Sequence, residues 1–240
     1  MTHTAYNTLQ DIVIYTDTEI SLDFSQSFEE GLNPILFTIK TLKQIPRKTE
    51  NKIHIVILES YDELSNLQIN CNNIHLIMPA FSKNKLENDL NALIFEHDQS
   101  MSSQQALEKL YHGFIKFYFS ADYFLETYDF FNSDSFEYGY RYINIHEILQ
   151  DNVSYEQQLH AYLNTISNTE TVSFNFSIGY EFSSESGYLK LIENTVDHLT
   201  YEKDRDVFFS VVLSKYPLSY NRLAIVHLSQ TYLYSNKPEK

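Results

Sequence analysis

Nine histidines and one cysteine are the side chains of this 240-residue chain whose types suggest catalysis or metal binding. No two histidines stand three or four residues apart, the spacing that places two imidazoles on one face of a helix for a metal ion. Cys71 lies among asparagines, with no helix start or basic neighbour to favour its thiolate. The chain also contains no G-x-S-x-G turn for a nucleophilic serine. We therefore expect no catalytic residue, no metal site and no cofactor, and we predict that the chain is not an enzyme.

Carboxylate clusters and glycine-rich loops are the other features of a sequence that could bind a cation or a phosphate. Glu29-Glu30 and the set Glu202, Asp204 and Asp206 offer oxygen ligands for a hard cation, although a solvated charged face is the simpler interpretation. Neither G-x-x-x-x-G-K nor G-x-G-x-x-G occurs, and the chain has only five glycines. The phosphate cradles of the common nucleotide-binding folds are therefore missing.

The charge balance narrows the class of partner. There are 32 acidic and 17 basic side chains, which give a formal charge of −15 that repels nucleic-acid backbones and anionic lipids. No apolar run approaches the ~20 residues of a membrane span. A single cysteine and a polar start without signal-peptide features predict a cytoplasmic protein. We expect a protein partner, with no nucleic acid and no membrane span.

Hydrophobic patterning predicts an α/β fold. Continuous β-branched runs indicate buried strands and helical spacing indicates helices. In the first half, strands are predicted at 11–16, 53–58 and 74–79, and helices at 27–44, 83–95 and 103–130. The long connections between the strands predict parallel pairing. In the second half, strands are predicted at 140–145, 172–178, 207–213 and 222–234, and helices at 155–166 and 186–199. A polar loop at 131–135 marks a predicted boundary between domains 1–131 and 132–240.

The order of these pieces resembles the tubulin/FtsZ superfamily. Ile74 to Pro79, followed by Asn84-Lys85-Leu86, looks like the family's I-x-I-P-N-x-x-L strand end. The helix from Ser103 resembles the segment that leads into the family's central helix. Residues 143–149 are similar to its synergy loop N-x-D-x-x-D, and residues 172–199 resemble the start of its activation domain. The resemblance implies a truncated tubulin/FtsZ-like fold. A parallel-sheet remnant of the nucleotide domain would be joined through a long central helix to a second α/β layer.

Departures from the family pattern decide the implied function. Where the family has G-G-G-T-G-x-G, this chain has residues 17–24, which include three carboxylates and no glycine. Carboxylates repel phosphate oxygens, so nucleotide binding should fail. The synergy-loop-like residues are Asn144, His146, Glu147 and Leu149, with His146 and Leu149 where the family has acids. Hydrolysis in a neighbour's site should therefore fail as well.

The resemblance thus implies a degenerate, non-catalytic member that acts through protein–protein interaction. It would cap or modulate a cytoskeletal filament in cell division, using the four synergy-loop-like residues, or assemble with copies of itself. Two alternatives stay open. One is an acidic decoy, such as an immunity protein or nucleic-acid mimic, for a basic partner. The other is an enzyme whose site the sequence does not reveal.

Overall fold

The computed structural model describes a mixed α/β protein. It covers residues 11–23, 29–30, 36–46, 53–65, 74–80, 92–119, 139–150, 155–166, 171–179, 207–214, 221–229 and 232–233. The strands are β1 (Asp11–Tyr15), β2 (Glu29–Glu30), β3 (Leu36–Lys40), β4 (Ile53–Ile57), β5 (Ile74–Pro79), β6 (Ala92–His97), β7 (Gly139–Gln150), β8 (Thr171–Gly179), β9 (Val207–Ser214), β10 (Asn221–Leu228) and β11 (Tyr232–Leu233). The α-helices are α1 (Tyr61–Ser65), α2 (Ser103–Gly113) and α3 (Tyr155–Leu163), and 3₁₀ turns occupy Leu42–Gln44 and Ile115–Phe119.

These strands form one 11-stranded sheet with a parallel half and a mixed half. The parallel half has the order β3-β1-β4-β5-β6-β7. The remaining order from β7 is β10-β8-β9-β2, in which only β8 and β9 run parallel. Strand β7 joins the halves, because its start pairs with β6 and the stretch from Ile143 onward pairs with β10. The predicted parallel pairing is confirmed, whereas the division at residue 131 stays a prediction.

Strands β4, β5 and β6 of the parallel half are almost entirely buried, and apolar residues lie on both of their faces. One face carries Ile12, Ile14, Ile55, Ile77, Leu93 and Phe95 together with Leu107, Leu110 and Phe114 of the α2 side. The other face carries Val13, Tyr15, Val56, Leu76, Met78 and Ile94. Strands covered on both sides explain the unbroken β-branched runs of the sequence.

The end of α2 approaches β7 closely at Gly113. A Cβ at this position would lie 2.7 Å from Cγ2 of Ile145, so that a larger residue would collide with the strand. Asn175 on β8 is fully buried at 0% exposure, and its Nδ2 donates a hydrogen bond to the Gly113 carbonyl oxygen at 2.7 Å. The alternation of apolar and polar residues over 172–178 predicts one polar face, and Asn175 on that face is buried, where its amide ties α2 to the second half.

The predicted helix at 27–44 is wrong where the structure describes it. Residues 29–30 and 36–40 are strands, and the turn at 42–44 is 3₁₀. Leu36 and Ile39, which set the helical spacing, are 62% and 45% exposed. The buried contact is made by Phe37, which packs edge-on against Tyr111 of α2 at a centroid distance of 5.7 Å. The pattern of exposed and packed side chains is therefore that of an edge strand and not that of one face of a helix.

Two further helix predictions need correction. The predicted helix at 83–95 is wrong at its end, because residues 92–97 form β6 between two parallel neighbours. Residues 83–91 lie outside the described residues. The long central helix is not seen, since α2 ends at Gly113 and a 3₁₀ turn follows. Residues 120–135, including the rest of that helix and the boundary loop, are outside the described part of the chain. The predicted helix at 186–199 is also outside it.

The remaining predictions agree with the structure. Strands at 11–15, 53–57, 74–79, 171–179 and 207–214 are confirmed, as is the helix at 155–163. The strand predicted at 140–145 extends over 139–150, and the strand predicted at 222–234 is divided into 221–228 and 232–233. No helix of the described residues is both long enough and apolar enough to cross a membrane.

Candidate functional site

The parallel half contains a topological switch point between β1 and β4. After β1 the chain forms β2, which pairs with β9, and then β3, which lies on one side of β1, whereas β4 lies on the other side of β1 and leads on to β5. In open α/β sheets, a ligand binds in the crevice that such diverging connections leave beyond the carboxyl ends of the strands. Residues 16–23 follow β1 and residues 58–60 follow β4, so these two segments border the crevice.

The carboxylate of Glu59 connects the elements around this crevice. Its Oε1 accepts a hydrogen bond from the Thr18 hydroxyl at 3.0 Å and another from the Ser103 hydroxyl at 2.7 Å. The backbone N–H of Glu59 in turn donates to Oε2 of Glu63 at 2.8 Å. One side chain therefore bridges the loop after β1, the end of β4 and the first residue of α2.

The loop after β1 uses its own backbone donors internally. The N–H of Thr18 donates to the Thr16 hydroxyl at 3.0 Å, and the N–H of Asp23 donates to the Ser21 hydroxyl at 3.2 Å. The N–H of Ser21 donates to Oε1 of Gln104 at 2.9 Å, and Nε2 of Gln104 donates back to the Ser21 carbonyl at 3.1 Å. Phosphate-binding loops offer such N–H groups to a ligand, and here these three already have acceptors within the chain.

The amino end of α2 is also capped by groups of the chain itself. The N–H of Gln105 donates to the Ser102 hydroxyl at 3.2 Å, and Oε1 of Gln105 accepts from the Ser102 N–H at 3.0 Å. This reciprocal pair is a capping box, which satisfies donors that an anion would otherwise bind. Asp17 plays a similar role at the neighbouring 3₁₀ turn, where its Oδ1 accepts from the Leu42 N–H at 3.2 Å.

Exposed carboxylates dominate the surface around the crevice. They are Asp17, Glu19, Asp23, Glu59, Asp62 and Asp98. The basic residues nearby in the described structure are Lys40 and Lys43, at and beyond the end of β3. Hydrogen bonds from Ser100 lower the pKa of the exposed Asp98 below its ordinary value, which is itself far below neutral pH, so this carboxyl is charged. The local field therefore opposes an anionic ligand.

In the described structure, the histidines His54 and His75 inside the sheet pack against aromatic side chains. The ring of His75 meets Phe114 edge-on at 6.3 Å, and its burial, together with the nearby His54, lowers its pKa to about 3. Nδ1 of His54 lies 3.3 Å from the Tyr15 hydroxyl, with the two rings stacked. Among the described residues, His, Cys, Asp and Glu side chains form no group of three suited to a metal ion.

The predicted synergy-loop-like residues lie within a strand and not in a loop. Asn144, His146, Glu147 and Leu149 all belong to β7 and pair with β10. Because side chains alternate along a strand, Asn144 and His146 share one face and Glu147 points to the other. Asn144 is exposed, whereas the ring of His146 stacks on Tyr162 of α3. The structure therefore places Asn144 and Glu147 on opposite faces of the sheet.

Glu59, Ser103 and Gln104 are the residues of the crevice that the sequence alone does not identify. Glu59 stands just beyond a predicted buried strand, where parallel sheets concentrate functional side chains, so the strand-end rule could have found it. Ser103 meets Glu59 across 44 positions of sequence and Gln104 meets Ser21 across 83, and no local motif encodes such separations.

Comparisons with known proteins add little to this geometry. No protein-family model and no curated protein matches the chain. A solved structure that aligns with it is a GTPγS-form protofilament of TubZ from Bacillus thuringiensis serovar israelensis, at 9% identity and a TM-score of 0.34. The alignment covers 75% of this chain and 60% of that one. A TM-score of 0.34 does not establish a shared fold. The geometry itself defines a mixed α/β protein. Its parallel half has a crevice whose bordering segments are joined by hydrogen bonds within the chain.

Proposed function

We propose that this chain is a non-catalytic, tubulin/FtsZ-like protein that acts by binding another protein. The observation that supports it is the bridging carboxylate of Glu59, which accepts hydrogen bonds from Thr18 and Ser103 across the switch point. A negative side chain bonded at this place disfavours phosphates by like-charge repulsion. Three backbone donors of the adjacent loop, those of Thr18, Ser21 and Asp23, are also engaged within the chain, so a nucleotide that used them would have to break these bonds.

The proposed partner is a tubulin/FtsZ-like filament of the cytoplasm, or a second copy of this chain. Support comes from the sequence, whose order of strands and motifs resembles the superfamily that forms such filaments. A subunit without a working nucleotide site offers one complementary end, so that it caps or modulates the filament it joins. Exposed Asn144 is the synergy-loop-like residue best placed to touch such a partner, because His146 packs beneath α3.

Co-sedimentation with a polymerising FtsZ, with and without GTP, tests this proposal. We expect the chain to pellet with polymer or to change the amount of polymer, and only when GTP is present. Asn144→Lys should reduce the effect, whereas Gln157→Lys, an equal charge change at an exposed residue of α3, should not. Unchanged assembly with no chain in the pellet would contradict the filament as partner.

The acidic decoy is the second candidate, favoured by the charge of −15 and the carboxylates around the crevice. Screening weakens attraction between exposed charges at high salt. A decoy should therefore capture a basic protein at low ionic strength and release it as salt rises. Binding to filaments through packed apolar and polar contacts should change much less over the same salt range.

A further inference from the structure

The side chain of Tyr162 lies between two histidines of the second half. Its ring stacks flat on His146 of β7, with centroids 3.8 Å apart and planes 9° apart. It also meets His227 of β10 edge-on at 5.9 Å. The register explains this meeting, since His227 pairs with Asn144 and His146 pairs with Ile225, so both imidazoles share one face of the two strands.

This face is opposite to the one that α2 covers. Gly113 of α2 approaches Ile145, the neighbour of His146 that points the other way. On the α3 side, the face also carries Val172, Phe174 and Ile225, all buried. Leu159 and Ile166 flank Tyr162 in sequence and are buried as well. Buried apolar residues therefore lie beside the two imidazoles on this face.

We propose that His146, Tyr162 and His227 form an acid-sensitive latch that holds α3 on the sheet at neutral pH and releases it when the imidazole of His146 gains a proton. The latch is independent of the proposed function, because it involves neither the crevice nor a nucleotide.

The charges around His146 set the direction of the switch. Burial lowers its pKa below 6.5 first, and the positive charges of Lys109 on α2 and of His227 on β10 lower the pKa further. Glu147 on β7 acts in the opposite direction, and α3 contributes the phenol of Tyr162. Lys109 and His227 stay in place when α3 leaves, so burial beneath Tyr162, the largest cause of the lowered pKa, is the effect that release removes. His146 therefore binds a proton more readily when α3 is released, and release becomes more favourable as pH falls.

Amide hydrogen exchange on the full chain tests the latch, with α2 as internal reference for the pH dependence of chemical exchange. Between about pH 7.5 and about pH 5, we expect the protection of residues 155–163 to fall several-fold relative to residues 103–113. His146→Phe preserves an aromatic stack without a titrating nitrogen and should abolish this fall. His112→Phe, a matched change on α2, should leave it intact. Parallel loss of protection in both helices, or an unchanged response in His146→Phe, would overturn the latch.

A second measurement covers the case in which His146→Phe does not fold. Nuclear magnetic resonance titration of the unaltered protein follows the ring protons of His146 directly. We expect their midpoint to lie below 6.5 and to coincide with the loss of protection in α3. A midpoint at or above the ordinary value, or one separated from the α3 transition, would sink the proposal.

Discussion

Thr18 and Glu59 follow neighbouring parallel strands, and the hydroxyl of the first donates a hydrogen bond to Oε1 of the second at 3.0 Å. The bond crosses the place where doubly wound sheets receive their ligands. Ser103 donates to the same oxygen, so hydrogen bonds within the chain span the crevice.

Replacing Glu59 with alanine should loosen the loop after β1 while leaving the fold intact. The variant removes the acceptor of Thr18 and Ser103, whereas Glu59→Gln retains an oxygen acceptor in the same position. Because Glu59 is exposed, we expect less than about 1 kcal/mol of lost stability. Hydrogen exchange of residues 16–23 should accelerate in Glu59→Ala and stay close to that of the unaltered protein in Glu59→Gln. Equal exchange in all three proteins would show that the carboxylate does not hold the loop.

Gly113→Ala should destabilise the protein. The new Cβ would lie 2.7 Å from Cγ2 of Ile145, and overpacking of this kind typically costs about 1–3 kcal/mol. Urea unfolding measures the loss. In a double-mutant cycle, Ile145→Ala should relieve the clash, so that the two substitutions together cost less than the sum of the single changes. Strict additivity would contradict the close approach of α2 to β7.

Asn175→Ala should cost about 1–3 kcal/mol, because it leaves the buried carbonyl of Gly113 without the amide donor. Asn175→Asp should be worse, since a carboxylate cannot donate and would be buried. Asn144→Ala is the matched control at an exposed asparagine and should change stability by less than about 0.5 kcal/mol. Equal effects of Asn175→Ala and Asn144→Ala in thermal or urea unfolding would argue against the tie between α2 and β8.

His75 should make the protein less stable in acid. Its pKa is about 3 in the folded chain and ordinarily 6.5, so the unfolded chain takes up the proton first as pH falls. Stability should therefore be lost progressively from about pH 6.5 to about pH 3, at up to about 1.4 kcal/mol per pH unit for this group. Unfolding free energies of His75→Gln should show a shallower slope over this range, and His112→Gln should keep the original slope. A slope unchanged in His75→Gln would contradict the buried neutral imidazole.

The sequence predicts the buried strands well because burial on both faces leaves a local signature. The continuous runs at 53–57 and 74–79 are examples. It fails at 36–40, where Leu36 and Ile39 stand at helical spacing but are exposed on an edge strand. Pairing with β1 and the packing of Phe37 against α2 favour the strand, and neither is visible in the local pattern. For the site, the lack of glycine and the carboxylates of residues 17–23 can be read directly. The bonds of Glu59 to Ser103 and of Ser21 to Gln104 depend on the tertiary fold and have no local signal.

Isothermal titration of the purified chain with GTP and Mg²⁺ tests the central claim most directly. Because Glu59 and its partners bond to one another across the crevice, we predict no binding heat up to roughly 1 mM GTP, a concentration that would reveal even weak association. Glu59→Gln, which removes the charge but retains the hydrogen-bond acceptor, should also show none. Saturable binding with a micromolar Kd would contradict the account, because it would mean that phosphates displace the contacts between Thr18, Glu59 and Ser103.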